Sequence, residues 1–175
     1  MKKSSTGLFP LAVFLLAFPF FLRRKWRVAR RIIIPVKPQQ IFPFLNDLRN
    51  WPLWTEWARR SDIRYSYGDK TSGVGALQQW ETCRMNGVLK IVQIVQDERV
   101  VYELDVNHGK CRVDGVIALE EIDGSTRVTW LCKWESGPNP YGRYLDLIYK
   151  LILKRDFQAG LENLKDLVNE RSHAS

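Results

Sequence analysis

The sequence predicts an α+β fold: a curved, seven-stranded antiparallel sheet wrapped around one long C-terminal helix, with two short helices after the first strand and an N-terminal transmembrane helix. Three observations carry this reading. Between residues 63 and 135 the chain passes through short segments of alternating apolar and polar residues separated by turn residues. Apolar residues then recur at three- and four-residue spacing to about Glu170. Near the start, Leu8 to Leu22 reads LFPLAVFLLAFPFFL, without one charged or polar side chain.

That apolar run is short. As a helix it covers about 22 Å against a hydrocarbon core of about 30 Å, and Ser4 to Gly7 are needed to lengthen it. Arg23, Arg24 and Lys25 can snorkel to the headgroups while Trp26 takes the interface. A cleaved signal peptide is disfavoured, because the run ends Phe-Pro-Phe-Phe-Leu and meets a basic stretch from Arg23 to Arg31 instead of small residues and a neutral exit. The positive-inside bias then predicts a single-pass membrane protein with its globular body on the cytoplasmic side. The expected division is an anchor with its basic flank at 1–26, a globular domain at 27–171 and a tail at 172–175.

Charge sharpens this division. The 175 residues include 27 Lys and Arg against 19 Asp and Glu, a formal net charge of +8. Lys2, Lys3, Arg23, Arg24, Lys25, Arg27, Arg30 and Arg31 all precede the first acidic residue, and they account for the whole excess. A formally neutral body lacks the surplus of cations that replaces phosphate counterions, so nucleic acid is not an expected partner. Cys83, Cys111 and Cys132 are odd in number and widely spaced, which suits buried thiols better than a disulfide framework or a zinc site.

Within the body, Arg27 to Pro35 ends in β-branched residues and reads as the first strand. Pro38 to Asp47 opens on a proline suited to the first helical position, although Pro43 falls inside it. Trp51, Leu53, Trp54 and Trp57 crowd a second short helix, and burying each stabilises the fold by about 2 to 3 kcal/mol. Strands follow at Ile63 to Tyr67, Gly75 to Arg84, Val88 to Gln96, Val100 to Val106, Cys111 to Glu121 and Thr126 to Glu135. Asn86-Gly87, Asn107-His108-Gly109 and Asp123-Gly124 supply turns able to take positive φ. Asn139 and Pro140 then start the long helix, whose apolar face must lie on the sheet.

Catalytic chemistry has little footing. His108 lies in a hairpin turn and His173 in the tail, and the sequence contains no nucleophile triad, metal-ligand spacing, phosphate-cradling glycine loop or dinucleotide fingerprint. No catalytic residue, metal or cofactor is expected.

Several fragments carry a resemblance. IIIPVKPQQIFPFLNDLRNWPLW (32 to 54), GVGALQQW (73 to 80), GSTRVTW (124 to 130) and DFQAGLENLKDLV (156 to 168) are together similar to the polyketide cyclase/dehydrase and START-like lipid-transfer group, related to the birch-pollen allergen superfamily. The likeness spans roughly residues 27 to 170; Pro43 and the apolar N-terminal run depart from it. It implies the helix-grip fold and a hydrophobic small molecule held in a cavity between sheet and helix. Alternation along the strands then gives the lining as Trp80, Ile91, Tyr102, Leu104, Ile117, Trp130 and Trp134, closed over by Tyr144, Ile148 and Ile152 with Leu161 from the helix. Gln93 and Val95 are expected on the same inner face. The function so implied is a membrane-anchored carrier or binding domain for a lipid, isoprenoid quinone or polyketide-like molecule. A cyclase or dehydratase acting on a polyketide-like substrate is the alternative, and a protein-interaction module with a vestigial pocket is a second.

Overall fold

A computed structural model describes residues 17–59 and 62–173. Seven strands form one antiparallel sheet: β1 (Lys25–Ile34), β2 (Arg64–Tyr67), β3 (Leu77–Glu81), β4 (Asn86–Val95), β5 (Arg99–Val106), β6 (Cys111–Ile122) and β7 (Ser125–Glu135). Their order is β1-β7-β6-β5-β4-β3-β2, so that β1 and β2, joined through the helical segment, are the two edges. Between them lie α1 (Pro38–Asn46), which includes Pro43, and the short α2 (Trp51–Trp54), flanked by two 3-10 turns. The chain ends in α3 (Gly142–His173). This is the predicted α+β architecture.

Register places one row of side chains on the inner face. Val28 faces Cys132, Trp26 faces Trp134, Ile117 pairs with Trp130 and Leu104 pairs with both Leu89 and Val113. One break in this pattern corrects the sequence reading. A β-bulge between Ile91 and Gln93 shifts β4 against β5, and Ile94 now stands opposite Val100. Gln93, expected inside, is exposed, while Ile94 packs against the core. Strand β3 also ends three residues early, because the Thr82 hydroxyl accepts from the amides of Arg84 and Met85 and turns the chain.

The core is strongly aromatic. Trp130 stacks on Phe157 of α3 at 3.9 Å between ring centroids and meets Trp54 and Trp57 edge-on at 5.1 and 5.4 Å. The Trp51 and Trp54 indoles donate to the carbonyls of Leu45 and Phe44, fixing α2 against α1. The polar ends of these two buried rings are thus satisfied by backbone.

The expected single-pass membrane localisation is corrected. Among the described residues no helix is long and apolar enough to cross a membrane. Most of the predicted span, Leu8 to Leu16, lies outside the described residues. Its described remainder is helical only at 17–21 before the chain bends into β1, about 8 Å of helix at ~1.5 Å per residue. Of the cations that follow, Arg24 lies 3.7 Å from Glu135, and Lys25 opens β1.

Candidate functional site

The concave face of the sheet has a closed half and an open half. In the closed half, Ile91, Ile117 and Trp130 have no exposed surface and Tyr102 only 3%. The Trp130 indole donates to the Tyr102 hydroxyl at 2.8 Å, and burial pushes that phenol well above the ordinary tyrosine range. The Tyr102 ring lies directly over Gly115 of β6, where an added Cβ would collide with the ring carbons. Trp80 covers Gly87 in the same way. In each pair a glycine on one strand gives an aromatic ring of its neighbour the room to lie flat.

In the open half, Trp80, Leu104, Cys111 and Val113 are only half-buried. Burial raises the Cys111 thiol above its ordinary range, with Asp146 and Asp105 adding to the effect. This half lies beneath the first part of α3, which is held by a carboxylate. Asp146 accepts from the Trp134 indole at 2.9 Å and from the Ser136 hydroxyl at 2.5 Å, and Ser136 in turn accepts from the Trp26 indole at 2.8 Å. Lys150, one turn on, sits 5.5 Å over the Trp26 ring. Sequence reasoning missed Asp146 and Ser136. The available signal was a single acid and a single base, four residues apart, inside the apolar stretch YLDLIYKLIL.

The residues predicted to line the cavity therefore separate. Ile91, Tyr102, Ile117 and Trp130 sit in the packed half; Trp80 and Leu104 border the open half; Trp134 is buried at its end and hydrogen-bonded to Asp146. Tyr144 is half-buried against Phe18, with ring centroids 6.2 Å apart. Ile148 and Ile152, expected to close over the cavity beside Leu161, are instead 53% and 41% exposed. The reason is geometric. At about 100° per residue, Ile152 and Leu161 are nine residues and half a turn apart, so they cannot share a face. Leu145, Tyr149 and Ile152 occupy the side of α3 that further along carries Gly160 and Asn163, which meet Trp54. On that side Leu145, Tyr149 and Ile152 remain exposed.

A separate cleft of about 730 Å³ runs along β2, β3 and β4. Trp80 lines it, but its other walls are largely polar, among them Arg64, Glu81, Asp105 and His108. His108 stands in the β5–β6 turn with φ 57° and its Nε2 lies 3.0 Å from the side-chain Nδ2 of Asn86. Among the described residues no cluster of His, Cys, Asp and Glu is placed to hold a metal ion.

Sheet order, inner register and terminal helix define the helix-grip class, and comparison with solved structures agrees. A Thermus thermophilus protein superposes with a TM-score of 0.62 at 15% identity, over 84% of this chain and 99% of that one. Ara h 8.0201 superposes with a TM-score of 0.59 at 15% identity, over 83% and 99%. A Chromobacterium violaceum protein gives 0.55 at 14% identity, over 83% and 96%. At such identities the likeness is one of fold. A search of curated proteins returns no match. The profile of the family described as polyketide cyclase / dehydrase and lipid transport matches residues 25–169, and the chain belongs to that family.

Proposed function

We propose that this domain binds a hydrophobic small molecule, a lipid, isoprenoid quinone or polyketide-like compound, on the open half of its concave face beneath the first part of α3. The observation that supports this is the set Trp80, Leu104, Cys111 and Val113. These apolar side chains point to the inside of a curved sheet and remain half-exposed, while the neighbouring half is filled by aromatic rings. A concave apolar floor beside a few oriented polar groups is the usual form of a small-molecule site. Carriage is favoured over cyclisation or dehydration because Asp146, a carboxylate close enough to act on Cys111, already accepts two hydrogen bonds and holds α3 in place.

Native mass spectrometry and organic extraction of the purified full chain test the reading. Recovery of a stoichiometric apolar compound, lost on Leu104→Glu with the fold retained, is the expected result. A chain that is consistently empty and takes up no fluorescent fatty-acid or quinone probe would count against it, and would favour the interaction module.

A further inference from the structure

A second cleft, of about 850 Å³, lies on the far side of α3 from the proposed interior site, between that helix and edge strand β1. Four cations line it: Arg30 and Arg31 from β1, Lys154 and Arg155 from α3. Glu162 is the one carboxylate among the lining residues, and among the described residues none of the four cations belongs to an ion pair. Arg30 is fixed in place, its Nε donating to the Lys154 carbonyl at 3.2 Å. Four cations lining one cleft with a single carboxylate leave a positive potential that an anion would relieve.

The cleft also has an apolar end. Leu147, Leu151, Lys154, Gln158 and Glu162 follow one another along one side of α3, so the basic cleft continues toward the helix start onto leucine. Leu151 is 62% exposed, and beside it Leu147 and Ile148 are 38% and 53% exposed. A patch of this kind, basic at one end and aliphatic at the other, calls for a ligand with the same division.

We propose that this cleft binds an anionic amphiphile, a single-chain molecule whose phosphate or carboxylate head lies among Arg30, Arg31, Lys154 and Arg155 while its alkyl chain runs along Leu151, Leu147 and Ile148. The guanidinium groups suit an oxyanion head, since each presents several donors in a fixed plane. The site is separate from the concave face and does not depend on what binds there.

Titration calorimetry of the full chain with dodecyl phosphate, kept below its micelle concentration, tests this. Saturable binding is expected, weakened about tenfold or more by Arg31→Glu with Arg155→Glu, as loss of hydrogen bonds to a charged head predicts. Leu151→Ser should weaken it as well. The milder pair Arg31→Gln and Arg155→Gln, checked for native circular dichroism, should show the same direction should charge reversal disturb folding. Undiminished binding by both pairs would place the probe elsewhere and overturn the proposal. So would inorganic phosphate binding as tightly as dodecyl phosphate, or dodecanol doing so. Charge reversal that abolishes adsorption to phosphatidylglycerol vesicles but leaves dodecyl phosphate binding intact would also overturn it, in favour of a lipid surface.

Discussion

The two halves of α3 are built from similar side chains and stand in opposite relation to the sheet. From Phe157 onward the apolar residues Phe157, Leu161, Leu164 and Val168 face inward and are buried. Before it, Asp146 and Lys150 face inward, and Leu145, Ile148, Leu151 and Ile152 face out. One helix thus carries two apolar stripes about half a turn apart. The second stripe stabilises the fold. The first is surface that the fold leaves free, held in place by a carboxylate instead of by packing.

Substitutions should separate these roles by size. Phe157→Ala, which removes the ring stacked on Trp130, should cost about 3 to 5 kcal/mol in urea denaturation. Asp146→Leu should cost less, about 1 to 3 kcal/mol, because it leaves the Trp134 and Ser136 donors without their acceptor. If this change proved neutral, the first half would be held by something other than the carboxylate. Leu151→Ser, on the outer stripe, should stay within about 0.5 kcal/mol; a loss as large as that of Phe157→Ala would end the distinction between the halves.

The cysteines report on the two halves of the concave face. Cys132, in the closed half, has its thiol pushed up to about 12 by burial. Its folded value lies above its unfolded one, so the stability it contributes is complete below the ordinary thiol value of 9.0 and is lost as pH rises toward about 12. A thiol reagent at a pH of about 8 should therefore modify exposed Cys83 quickly and Cys132 only on unfolding. Cys111 should fall between them, and slow further when a ligand occupies the open half.

Much of the fold was legible in the sequence because its signals are local. Alternation located the strands, and the crowding of Trp51, Trp54 and Trp57 announced a buried aromatic cluster. The bulge in β4 was not legible: the run Ile91-Val92-Gln93-Ile94-Val95 is apolar on both sides of the bulge, so alternation alone could not register one extra residue. Nor was the orientation of the first half of α3. Leu145, Leu147, Ile148, Leu151 and Ile152 form a broad apolar arc of the kind that usually faces a core, and the inward direction was marked only by the charged pair Asp146 and Lys150. Ile91, Tyr102, Ile117 and Trp130, expected to line a cavity, are buried where other side chains already fill the space, which alternation along a strand does not reveal. The apolar N-terminal run suggested a span that no described helix provides.

Tyr102 over Gly115 and Trp80 over Gly87 carry a consequence for how this sheet can change over time. Each ring and its glycine share one volume across two strands, so the glycine cannot gain a side chain while the ring stays in place. Gly115 can grow only where Tyr102 shrinks. The size of the hollow beside β5 and β6 is therefore set by paired residues, and a relative with a larger side chain at position 115 should carry a smaller one at 102 and a differently shaped floor.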